Sequence, residues 1–250
     1  MDIYGQFKQK CAEQIAAQAG DARLMELSGQ WLERAVDHQY CYHFEWLGRP
    51  ILQLPGDILA MQEIVWSVKP DLVIETGIAH GGSLIFSASL LELNAACGGP
   101  PDARVVGVDI DIRPHNRAFI ESHPLSKRIT MIQGSSIAPA VVAEIAAMAA
   151  GKRVLVTLDS NHSHAHVLAE LEVYAPLTSV GSYCVVFDTV VEDLAADLTA
   201  DRPWGPGNSP KTAVWEYLQS HPEFEIDRRM DHKLLISVAP DGYLRRVRQD

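Results

Sequence analysis

Nowhere in this 250-residue chain is there an unbroken apolar run of the roughly 20 residues that a membrane span needs. Paired cysteines are also missing. Cys11, Cys41, Cys97 and Cys184 stand far apart, which excludes a CxxC metal or redox motif and a disulfide framework. Cys184 lies inside an apolar run and reads as a small core hydrophobe. Positive charge is scarce: 21 Lys and Arg face 32 Asp and Glu, for a formal net charge of −11. Phosphate binding rests on Lys and Arg, and so does a polybasic anchor. Neither a nucleic acid nor a membrane is expected as a partner. The opening "MDIYGQFKQK" has no apolar signal core, so a cytoplasmic location is expected.

What is present falls into two parts. Residues 1 to about 40 place apolar side chains at three- and four-residue spacing, the mark of helices. "EWLGRPILQLPGD" is broken by Pro50, Pro55 and Gly56 and reads as a loop, with Asp57 expected to cap a helix through "ILAMQEIVWSV". These elements form an N-terminal helical segment, 1–56, ahead of a main domain, 57–250. From Leu72 onward, "LVIET", "RVVGVDI", "RITMIQG", "RVLVTLDS" and "YCVVFDT" are short β-rich runs separated by helical stretches. Strands alternating with helices imply right-handed crossovers and a parallel α/β sheet. "FEIDRRMDHKLLISVA" reads as two strands with a polar connection and no room for a helix, an antiparallel hairpin. Parallel strands plus a C-terminal antiparallel hairpin is the layout of the class I methyltransferase Rossmann-like sheet, here with N-terminal helices.

Four acids fall at strand ends: Glu75, Asp109, Asp159 and Asp188. In an open α/β sheet, ligands bind outside those ends. Gly77 allows a tight turn, and Gly81, Gly82 and Ser83 open the next helix beside it. The spacing of "ETGIAHGG" is not G-x-G-x-x-G, which disfavours a nicotinamide dinucleotide. A nucleoside without pyrophosphate fits better, S-adenosylmethionine being the commonest on this sheet, with Asp109 placed to accept from ribose hydroxyls. Asp159 and Asp188, on adjacent strand ends, make a hard-oxygen site suited to Mg²⁺ or Mn²⁺. His162, three residues after Asp159, is placed to act as a base. His164 and His166 fall at helical spacing on other faces and read as surface or packing residues. The long polar connection "VEDLAADLTADRPWGPGNSP" reads as a lid, with Trp204 offering an apolar face.

Together, "VIETGIAHGGSLIFSASLLEL", "VVGVDIDIRPHNR", "RITMIQGSS", "VLVTLDSNHSHAHVLAELEVYAPL" and "RPWGPGNSPKTAVWEYL" resemble the cephalosporin hydroxylase family over about residues 40 to 245. Despite its name, that family is similar to S-adenosylmethionine-dependent rhamnosyl and macrolide-sugar O-methyltransferases. The resemblance implies a divalent metal held by Asp159 and Asp188, with His162 as general base. It implies a cofactor site lined by Glu75, Gly77, Ser83, Asp109, Gly134, Ser135 and Ser136. Phe187 stands where the family carries a further acid. Thr189 is then a candidate oxygen ligand, and Glu192 and Asp193 are others in the loop. The expected partner is a small-molecule hydroxyl acceptor, a sugar or glycosylated metabolite. Two alternatives stay open: a β-lactam or other natural-product tailoring enzyme, and a non-catalytic protein that binds S-adenosylmethionine. The apolar positions Leu24, Met25, Leu27, Trp31 and Leu32 suggest a homo-oligomer.

Overall fold

The computed structural model describes residues 2–249. Asp2 and Asp21 cap the first two helices, α1 (Ile3–Ala19) and α2 (Ala22–Asp37), by accepting from the Gly5 and Leu24 amides. An aspartate oxygen there satisfies a backbone donor that the helix leaves free. The two helices lie outside the main body: α1 buries no residue and α2 buries only Ser28. The segment read as a loop contains a small antiparallel ladder, β1 (Glu45–Trp46) with β2 (Arg49–Pro50), turned by Leu47 and Gly48 at positive φ.

Helix α3 (Pro55–Val68) starts at a proline, whose missing N–H costs nothing at a helix start. Asp57 therefore sits inside the first turn and is not the cap. It is fully buried, and it accepts from Ser237 Oγ (2.6 Å), Tyr243 Oη (2.7 Å) and the Val238 amide (2.9 Å).

Crossovers then alternate: β3 (Leu72–Thr76), α4 (Gly82–Ala96), β4 (Arg104–Asp109), α5 (Pro114–Ser122), β5 (Ile129–Gln133), α6 (Pro139–Ala149), β6 (Val154–Leu158), α7 (His164–Tyr174), β7 (Tyr183–Val186) and α8 (Pro210–Tyr217). The chain ends with β8 (Phe224–Ile226), α9 (Arg228–Leu234) and β9 (Tyr243–Arg246). The seven-stranded sheet has the order β5-β4-β3-β6-β7-β9-β8, parallel through β7 and antiparallel at β9 and β8. The antiparallel ending is as the sequence implies, but its pieces are not. "RRMDHKL" folds as α9, and the second strand is "YLRR", well beyond "LLISVA".

Strand residues alternate between two cores, as a side-chain period of two requires. Val73, Val105, Leu155 and Val185 pack with α3, α4 and α5, while Leu72, Ile74, Val106 and Val156 pack with α6, α7 and α8. Burying each such side chain contributes about 1.5–3 kcal/mol. The strand order reverses between β3 and β6, so the crevice at their carboxyl ends is the ligand position of an open α/β sheet.

Candidate active site

At that crevice the turn after β3 runs directly over the end of β6. A Cβ on Gly77, which has φ +87°, would lie 2.0 Å from the Asp159 carbonyl oxygen. A Cβ on Gly82 would lie 2.0 Å from the Pro50 carbonyl oxygen, and one on Gly81 would strike Ile120. The glycines thus let backbone approach backbone, and the tight turn expected at Gly77 results. Asp109 holds this turn, accepting at Oδ2 from the Ile78 amide (2.8 Å) and the Ala79 amide (3.3 Å), while Oδ1 accepts from Asp111 N. Two side chains that the sequence reading passed over complete the support. Asn116 donates to the Ala79 carbonyl, and Arg49 donates both to Asn116 and to the His80 carbonyl.

A groove extends to either side of Gly77. One arm is lined by Val108, Asp109, Ile110, Ser135, Ser136 and Asn161, the other by Gln53, Glu75, Ser83, Asp159 and Phe187. The expected cofactor residues Glu75, Gly77, Ser83, Asp109, Ser135 and Ser136 all border it. Gly134 lies at the foot of one arm, its amide donating to the Asp109 carbonyl. Glu75 is buried and accepts from Ser87 Oγ. Burial pushes its carboxyl up to about 7, against hydrogen bonds from Ser87 and Ser83 that favour the charged form.

At the far end of the groove, ligating atoms of Asp159, His162 and Asp188 lie within 4.8 Å of one another. His162 Nε2 is 3.2 Å from Asp188 Oδ2. His162 lies in the β6–α7 connection, ahead of the helix and not on its first turn. Asp188 adopts a left-handed backbone, φ +54°, an uncommon state for a residue with a Cβ and one found at functional sites. Burial, then the charges of Asp188, Glu75 and Glu170, hold the Asp159 carboxyl well above the usual carboxylate range. Acids crowded in this way raise one another's pKa, and a cation between them would offset that repulsion. Among the described residues the pairing of Asp188 is to His162, with no Lys or Arg.

The Thr189 hydroxyl, next to Asp188, is fully buried and donates to the Pro240 carbonyl at 2.6 Å. Glu192 accepts from Ser209 Oγ and the Gly207 amide, and Asp193 pairs with Lys211 at 2.5 Å, so both pin the 190–210 connection and are not ligands. Trp204, on the same connection, meets the His162 ring edge-to-face with centroids 4.9 Å apart. The Cys41 thiol is pushed up to about 11, chiefly by burial and then by the charge of Asp188.

The neighbouring histidines divide. His164 pairs with Thr212 (2.8 Å) and Glu216 (3.2 Å) on α8, a packing role as expected. His166 instead borders the groove beside Asp109 and Ser135, against its reading as a surface or packing residue.

Residues 38–247 match a family described as rhamnosyl O-methyltransferase/CmcI. The rhamnosyl O-methyltransferase of Mycobacterium leprae (strain TN) is 31% identical over 205 residues, covering 80% of this chain and 81% of that protein. That of Mycobacterium tuberculosis (strain ATCC 25618 / H37Rv) is 29% identical over 197 residues, covering 76% of this chain and 72% of the other. A solved CmcI structure with Mg and SAM superposes with a TM-score of 0.56 at 19% identity, covering 83% of this chain and 78% of that one. At that identity the likeness speaks to the fold.

Proposed function

The chain belongs to the rhamnosyl O-methyltransferase/CmcI family, and from that premise we propose that it is an S-adenosylmethionine-dependent O-methyltransferase whose acceptor is a hydroxyl of a sugar or glycosylated metabolite. The observation that carries this reading is the Asp159–His162–Asp188 cluster at the end of a groove floored by the Gly77 turn. The mycobacterial relatives are named for rhamnosyl methylation, and the CmcI structure was solved with Mg and SAM.

The donor set fits a divalent cation. Two half-buried carboxylates that pair with no Lys or Arg among the described residues are hard ligands suited to a divalent cation. Asp159 and Asp188 would hold Mg²⁺ or Mn²⁺, which when bound acidifies and orients an acceptor hydroxyl. S-adenosylmethionine when bound supplies an electrophilic methyl group. The protein then has three tasks. The groove holds the nucleoside along the strand ends, with Asp109 toward the ribose, so that sulfonium and acceptor meet in line; such positioning supplies much of the rate. His162 takes the hydroxyl proton at Nε2, and Asp188, 3.2 Å away, stabilises the imidazolium that forms. The 190–210 connection with Trp204 shields the exchange from water.

The 4.8 Å clustering also favours a second reading, in which His162 is the third ligand in the place that Phe187 leaves without an acid. Transfer of labelled methyl groups to a panel of deoxysugar acceptors, with and without chelator, tests the main proposal. No turnover on any sugar, alongside turnover on a β-lactam scaffold, would move the acceptor class to that alternative. Exposed Ile3, Phe7 and Trp31 support self-association through α1 and α2, which sedimentation would detect. Among the described residues, no helix is long and apolar enough to cross a membrane.

A further inference from the structure

Three side chains on α7, His166, Glu170 and Tyr174, recur at four-residue spacing and so form one stripe of the helix. His166 lines the groove, and Glu170 and Tyr174 are buried behind it. The Tyr174 hydroxyl donates to the Ser136 carbonyl at 2.6 Å. His166 Nε2 lies 3.2 Å from both Ser136 Oγ and Ser160 Oγ, and 3.4 Å from Glu170 Oε1. Glu170, fully buried, accepts from Ser160 Oγ at 2.7 Å and from Thr76 Oγ1 at 3.2 Å. Thr76 Oγ1 in turn accepts from the Asp159 amide at 3.2 Å. Ser160 commits its proton to Glu170, so toward His166 it can only accept, and Nε2 must carry the hydrogen.

The geometry points to His166 as a positioning residue that, anchored on Glu170, brackets the turn after β5 to the turn after β6 and so sets the width of the cofactor arm. Ser136, after β5, and Ser160, after β6, both line that arm, and Nε2 lies within reach of both. Through Thr76, the same carboxylate fixes the backbone that carries Asp159. One buried group therefore ties the nucleoside wall to the metal strand end. Such a bracket is preorganisation: its absence leaves the fold but widens the groove, and the ligand must then order it. The inference rests on the reading of the groove as the S-adenosylmethionine site.

The test is titration calorimetry with S-adenosylhomocysteine, together with Mn²⁺ affinity and steady-state kinetics. Loss of the single Nε2–H donor that Ser136 and Ser160 share predicts that His166→Ala weakens S-adenosylhomocysteine by about 2- to 10-fold. The KM for S-adenosylmethionine should rise in parallel, with Mn²⁺ affinity within twofold and kcat at saturating cofactor little changed. His166→Gln, whose terminal amide donates two hydrogens, should recover most of the binding. If His166→Ala proves too unstable to purify, Ser136→Ala removes one end of the bracket alone and should weaken binding two- to fivefold. Unchanged S-adenosylhomocysteine affinity in these variants would overturn the proposal. So would an equal loss of nucleoside and Mn²⁺ binding that His166→Gln does not repair, which marks a general structural role. A wild-type chain that binds no S-adenosylhomocysteine would overturn the cofactor reading itself, and the bracket with it; the wild-type titration separates that case from the others.

Discussion

Trp204 stands edge-to-face against the imidazole of His162, centroids 4.9 Å apart and planes at 85°, so the residue proposed to move the proton is held by the 190–210 connection, the segment proposed to close over the acceptor. An aromatic pair of this geometry contributes about 0.5–1.5 kcal/mol beyond its buried area. Trp204→Ala should therefore lower kcat by roughly tenfold, the equivalent of ~1.4 kcal/mol, with the melting temperature little changed. Trp204→Phe should keep most of the activity. Equal kcat in wild type and Trp204→Ala would show that His162 holds its position unaided.

His162→Ala should reduce kcat by about 10²–10⁴-fold, the usual contribution of a positioned base, with S-adenosylhomocysteine affinity unchanged. Mn²⁺ titration of the same variant decides between the two roles. Unchanged metal affinity keeps His162 as the base. A large loss makes it the third ligand, and Nε2 is then not free to take a proton.

Chelation should abolish turnover, and Mg²⁺ or Mn²⁺ should restore it. Asp159→Asn and Asp188→Asn should each weaken the metal by more than the 10–100-fold that losing even a supporting partner costs. Full turnover in chelated protein would place this chain in a metal-independent branch, with Phe187 as its mark.

The Glu75 carboxyl, at about 7 in the free protein, should couple cofactor binding to pH. A cationic ligand against it favours the charged form and lowers its pKa. Complex formation below about pH 7 then releases a proton. Affinity for S-adenosylmethionine should rise with pH by up to tenfold per unit and level off above about 7. For the free protein the sign is opposite. Because folding raises this pKa, the stability Glu75 contributes is complete below the usual glutamate range, about 4.3, and is lost as pH rises toward 7. Titrations from pH 5.5 to 8.5 check this, and Glu75→Gln should flatten the affinity profile. A wild-type affinity independent of pH would refute the placement of the cation at Glu75.

Gly77→Ala and Gly151→Ala form a matched pair. Both positions have positive φ, but a Cβ at Gly77 meets the Asp159 carbonyl at 2.0 Å, whereas nothing lies within 4 Å of one at Gly151. Gly151→Ala should cost about 1 kcal/mol of left-handed strain. Gly77→Ala should cost ~3 kcal/mol or more, because a strand end must move. Denaturant midpoints measure both.

The core strands were legible because burial on both faces makes them continuous apolar runs. The acids at their ends followed from the sheet's geometry. The C-terminal region was less legible. "KLLISV" has β character, yet Met230 and Leu234 fall four residues apart and fold as α9, while the half-charged "YLRR" becomes a strand because β7 and β8 flank it. His166 was misplaced for a local reason. The helix begins only after Ser163, so His162 sets no helical phase and its spacing to His166 does not fix which way His166 faces. The pattern H-x₃-E-x₃-Y within α7 was the available signal. The hydrogen bond from Thr189 to the Pro240 carbonyl is visible only in the fold.

The order of strands has a consequence for how the chain is made. Strand β9 leaves the ribosome after β1 to β8, yet it lies between β7 and β8, inside the sheet. Until Tyr243–Arg246 emerges, the edge at Cys184 and Val185 is open, and Asp57, far back in the chain, waits for the Tyr243 hydroxyl. A nascent chain halted before residue 243 carries an unpaired apolar strand edge, the feature that draws aggregation or a chaperone. A truncation before Tyr243 would therefore act on the whole molecule, because it removes the strand that joins β8 to the sheet.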